Sequence, residues 1–241
     1  DSGMMVIATE TLLGTGGVAL ALLVLTFCMW RYNVQRWLQW FFSAGAGFVL
    51  ASVLLFLLPS VYDVNIQSAF FVVLGVMAVP VLHLVLIERQ SDTKKVRHPL
   101  SGLLSWARVG ILALVYGDAT ALLGTNTFDV TLFSIISILA LAPEFFQVYT
   151  LLHYEGARKT RAAVLVGILA LLPIVAAIAV GTLVLAVLPE FAVPFVGLAA
   201  GTMLYMSVAD QIGESLRRRS WPDIGLTLIG AGIAALIVVL L

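Results

Sequence analysis

Cysteine, histidine and charge are all scarce in this chain of 241 residues, and each scarcity removes a class of function. One cysteine, Cys28, excludes an intrachain disulfide and any cysteine-cluster metal site, and reads as an apolar filler in the first helix. Three scattered histidines, His83, His98 and His153, exclude a histidine-rich metal-buffering tract. Only 11% of residues are charged, and 13 bases balance 13 acids, so there is no basic patch for nucleic acid. HExxH, GxSxG and P-loop signatures are absent, and no enzymatic chemistry is expected. What remains is apolar: 61% of residues are hydrophobic and the mean hydropathy is strongly positive, as in polytopic membrane proteins.

A membrane helix needs about 20 mostly apolar residues. Cutting the chain at its polar and Pro/Gly-rich punctuation predicts an all-α integral membrane protein of eight spans, near 5–30, 38–58, 69–87, 103–123, 132–152, 162–188, 192–214 and 221–241. The connections are short, so residues 1–241 form one transmembrane domain. The first run carries Asp1 and Glu10 at its start and no basic n-region, which marks a retained helix rather than a cleaved signal.

Assigning alternate loops to opposite sides places every Lys and Arg on one side, with Arg108 just inside span four. That side is then the cytoplasm, and both termini are extracytoplasmic. The other side carries Asp1, Glu10, Asp63, Asp129 and Glu190 without a base. A prokaryotic cytoplasmic membrane is the expected location.

Deep in the spans lie Asp118, Glu144 and Asp210, with His83 and Glu214 closer to cytoplasmic ends. An ionised acid at a helix centre costs about 2.5 to 3.5 kcal/mol by insertion scales, so three imply roughly 8 to 10 kcal/mol unless each is protonated, paired or metal-bound. No Lys or Arg is expected at that depth, which leaves protons, a cation or a hydrated cavity as partners. Asp118 is expected toward the outer half, Glu144 near the midplane and Asp210 toward the inner half. Beside Glu144, Pro143 cannot donate to the Leu139 carbonyl, which frees an oxygen as a further ligand. His83 reads as an interfacial histidine. The small-residue runs SAGAGFVLAS and GLAAG predict close helix approach in spans two and seven.

The pattern resembles the ZIP (Zrt/Irt-like) family of divalent-metal transporters. ALAPEF, residues 140–145, keeps the proline and following acid of the family's fifth span, and LLHYEGARKTRAA is similar to the loop after it. LVYGDA, residues 114–119, keeps the acid of the fourth span as Asp118. GLAAGTMLYMSVAD ends on Asp210 as the family's seventh span ends on a metal-site acid, and Phe56 stands in span two where a histidine often sits. Leu114 and Val115 replace the His-Asn pair, Gly117 a proline, and Ala140 and Leu141 the His-Glu pair, so every imidazole of the expected site is missing.

The resemblance implies eight spans, both termini outside, alternating access and an intramembrane site for a transported divalent cation, with no tightly bound cofactor. The site would comprise Asp118, Glu144, Asp210 and Gln147, helped by the Leu139 carbonyl or water. Oxygen-only ligands favour Mn²⁺ or Mg²⁺ over zinc, with Fe²⁺ also among the ions to test. Two alternatives stay open: a ZIP-like protein that has lost transport and serves as a structural or interaction subunit, and proton-coupled transport of another solute. Expected partners are the lipid bilayer, the divalent ion, and a second copy or another membrane subunit, with no nucleic acid.

Overall fold

The computed structural model describes residues 2–31, 35–64, 68–87, 101–122, 127–187, 192–217 and 221–240. All secondary structure among these residues is helical. A helix occupies each apolar segment read from the sequence: α1 (Ser2–Arg31), α2 (Gln35–Ser52), α3 (Leu58–Val64), α4 (Ser68–Ile87), α5 (Ser101–Leu122), α6 (Thr127–Tyr154), α7 (Lys159–Val187), α8 (Ala192–Tyr205), α9 (Gly213–Arg217) and α10 (Trp221–Leu240). Wider π-helical turns, Val53–Leu57 and Met206–Ile212, join α2 to α3 and α8 to α9 in continuous rods.

Among the described residues, five stretches are long and apolar enough to cross a membrane: Thr11–Arg31, Leu38–Tyr62, Val130–Tyr154, Lys159–Ala179 and Trp221–Leu240. Their length, composition and residue distribution are those of an integral membrane protein. On α7 the large aliphatics Val164, Ile168, Leu171, Val175 and Ile178 are exposed at helical spacing, whereas Ala162, Ala170, Ala176 and Ala177 are buried. Large apolar groups facing outward, with alanines prominent among the buried residues, suit a lipid solvent, where close backbone packing, not removal of apolar surface from water, holds helices together.

The helices form two groups. In the first, α1, α5, α6 and α7 pack on one another; in the second, α2 packs along α10 and α4 along α8. Contacts of α5 with α8 and of α2 with α6 join the groups. Glycine makes the closest approaches, as the small-residue runs predict. A Cβ on Gly47 would overlap the Thr227 carbonyl of α10, and one on Gly230 the Ala44 carbonyl of α2. Gly201 and Gly75 meet the same way, against Val72 and Leu198 carbonyls. The two arrangements correspond: each glycine pair joins a continuous helix to a rod that enters its π turn five or six residues past the glycine, at Met206 after Gly201 and at Val53 after Gly47.

Polar side chains inside the helices are mostly satisfied locally. Thr15, Thr26, Thr120 and Ser134 each donate to the carbonyl four residues earlier, at 2.7–2.8 Å. Past Tyr154, α6 ends at Gly156, whose φ of 94° is the left-handed geometry glycine tolerates. Ala157 N donates to Leu152 O at 3.0 Å and Gly156 N to His153 O at 3.1 Å, closing the helix in a Schellman motif. The turn then enters α7, so EGARKTR is a tight basic corner, not a linker.

Candidate functional site

Arg108 corrects the sequence reading. It was expected at the cytoplasmic edge, and no base was expected deep enough to pair with an intramembrane acid. Its side chain instead runs into the bundle, is 4% exposed, and forms an ion pair with Glu144, itself 3% exposed. Arg108 lies seven residues past Ser101, about 10 Å into α5, and Glu144 ten residues before Tyr154, about 15 Å into α6 from that end. The two helices are antiparallel, so the positions fall at similar depth. Glu144 lies near the middle of the apolar stretch Val130–Tyr154.

A second oxygen faces the same guanidinium. Arg108 Nη2 donates to Gln147 Oε1 at 3.3 Å as well as to Glu144 Oε2. Glu144 and Gln147 are three residues apart, on one face of α6. The helix continues through Pro143, and the Leu139 region packs against α2: a Cβ on Gly45 would sit 3.4 Å from Leu139 Cδ2 and 3.8 Å from its carbonyl oxygen. That carbonyl, expected as a ligand beside Glu144, thus lies in the α2–α6 interface.

Asp118 stands apart from this pair. It is half-buried on α5, one residue beyond Gly117, whose missing Cβ admits the Pro173 backbone of α7. Its Oδ1 is buried with no hydrogen-bond partner among the described residues. The side chains of Asp210, Glu214 and His83 lie outside the described residues, as does His98. Among the described residues, no three of His, Cys, Asp and Glu converge on a common point. Of the four expected metal ligands, Glu144 and Gln147 are brought together, on an arginine.

Between Arg108 and Asp118 on α5 sits Tyr116, fully buried. Its hydroxyl lies 3.3 Å from Thr202 Oγ1 on α8 and 3.4 Å from Met206 Sδ, at the start of the second π turn. This polar contact ties the two helix groups together. Trp106 Nε1, ten residues before Tyr116 on α5, donates to Leu165 O at 2.7 Å, fixing α5 on α7.

Arg108 and Tyr116 escaped the sequence reading. One signal for Arg108 was available: in LSWARVGILALVYGDA it is the only base in the apolar part of span four, at a depth matching the acid of the next span. No comparable signal marks Tyr116, because an aromatic residue in an apolar helix is ordinary. No protein-family model matches the chain, and no curated protein matches it significantly.

Proposed function

We propose that the chain is a ZIP-like membrane protein of eight spans with both ends extracytoplasmic, in which Glu144 is held by Arg108 and carries no divalent cation. Its role is then structural, or that of an interaction subunit in the membrane. The observation that carries this reading is the buried Arg108–Glu144 pair. A carboxylate engaged by a guanidinium at close range has its charge compensated, and a metal ion would have to displace a group tethered to the neighbouring helix. Absence of the family's imidazoles at residues 114 and 140 supports the same reading.

One observation favours cation handling instead: the buried, unpartnered Oδ1 of Asp118. A cation or proton on Asp118, with Asp210 as a further acid, would keep a transport function that bypasses Glu144. Flux separates the readings. Proteoliposomes loaded for Zn²⁺, Mn²⁺ and Fe²⁺ uptake should show no flux above protein-free vesicles. Saturable flux of any of these ions, abolished by Asp118→Asn or Glu144→Gln in folded protein, would sink the structural reading.

A further inference from the structure

Two oxygens on one face of α6, the Glu144 carboxylate and the Gln147 amide oxygen, converge on a single nitrogen, Arg108 Nη2. Convergent oxygens of this charge, one anionic and one neutral, are what a buried monocation requires. The occupant arrives from α5, and it has an alternative: an arginine about two turns from its helix end can extend its stem toward the headgroup region and keep its charge in water. Arg108 takes the inward route and is 96% buried (100% less its 4% exposure), so the oxygens hold the guanidinium against that alternative.

Access exists beside it. Gln147 is exposed on its outer side and lines a groove of about 310 Å³ with Phe146, Thr150, Leu151 and Tyr154. Gln147 thus touches both the ion pair and the groove.

We propose that Glu144 and Gln147 form a cation site whose occupant is the chain's own guanidinium, and that Arg108 is the residue that excludes external cations from it. This rests on the reading that Glu144 carries no metal in the native chain. Truncating Arg108 leaves the two oxygens in place and vacates the position between them. The vacated site takes a guanidinium-type ion, which reproduces the N–H donors, or a hydrated divalent ion, which the same oxygens ligate in part.

Thermal unfolding of the full chain in detergent tests this, with methylguanidinium and Mn²⁺ as probes. Arg108→Ala should lower the Tm by roughly 10 °C, since it strands a buried carboxylate. Millimolar methylguanidinium or Mn²⁺ should then restore half or more of that loss. Wild type, whose site is filled, and the double variant Arg108→Ala/Glu144→Gln should not respond. If Arg108→Ala is not recovered folded, Arg108→Ser, which is equally short and leaves the position between the oxygens vacant, takes its place in the same titration. A folded single variant that responds to neither probe overturns the proposal, as does an equal response in the double variant. Metal flux through wild-type vesicles would overturn the parent reading, and it is a separate measurement.

Discussion

The α2–α10 and α5–α6 contacts solve one problem, holding two helices together in lipid, by opposite means. At Gly47 and Gly230 the side chains are absent, and backbone meets backbone. At Arg108 and Glu144 two long charged side chains bridge the gap and neutralise one another. The first contact has no room for an added atom; the second has no tolerance for a missing one. Substitutions should therefore fail in opposite directions at the two sites, and that asymmetry can be measured.

Breaking the ion pair from one side carries the largest expected effect. Arg108→Met leaves a buried carboxylate without its partner and should destabilise by about 3 to 5 kcal/mol. Arg108→Met/Glu144→Leu, which removes both charges at similar volume, should recover most of that loss and reach wild-type stability or better. Denaturation in mixed micelles reads both. A double variant as unstable as the single one would mean that the pair acts through something other than charge compensation, and the contrast with the glycine contact would lose its basis.

Next come the glycine contacts. Gly47→Ala or Gly230→Ala puts a methyl into a backbone carbonyl that cannot swing aside as a flexible side chain does. The helices must separate, at about 3 kcal/mol, the upper end of typical overpacking effects. The expected readout is a lowered Tm with loss of the monodisperse species in size-exclusion chromatography. Unchanged stability would show that α2 and α10 slide without penalty.

These two contacts also show where the sequence was legible. SAGAG and GLAAG predict close approach because a glycine's effect is local: it has no side chain wherever its helix lies, and a small-residue face has one use in lipid. Apolar length likewise gave the helices and their order. Arg108 is the opposite case. Its long stem lets the charge settle several ångströms on either side of its Cα, so position in the chain does not say whether it reaches for headgroups or for an acid one helix away. The π turns at Val53–Leu57 and Met206–Ile212 were also invisible, since a widened turn needs no special residue. Of the expected ligand set, Glu144 and Gln147 share one partner, and that partner is a cation of the chain itself, Arg108.

A smaller effect belongs to the seam between the helix groups. Tyr116→Phe removes the hydroxyl that reaches Thr202 and Met206 while keeping the ring in its packed position. Polar contacts between membrane helices average about 0.6 kcal/mol in double-mutant cycles, so the loss should be near that value and smaller in a Thr202→Val background, where only the Met206 contact is left to lose. A cost of several kcal/mol would make this contact, rather than the ion pair, the principal polar tie in the bundle.

The smallest effect is also the cleanest control on the opening contrast, because it lies on the same helix. Gly230 and Gly232 are two residues apart on α10. One is buried against α2, and the other is exposed, with nothing within 4 Å of where a Cβ would be. Alanine is favoured over glycine inside a helix by about 0.5 to 1 kcal/mol, because glycine loses more backbone freedom on ordering. Gly232→Ala should therefore stabilise by roughly that amount, while Gly230→Ala destabilises. Helix propensity is common to both positions, so the difference between the two variants isolates the contact with Ala44. If Gly232→Ala were as damaging as Gly230→Ala, the exposed face of α10 would itself be packed against a partner, and glycine there would serve a second interface.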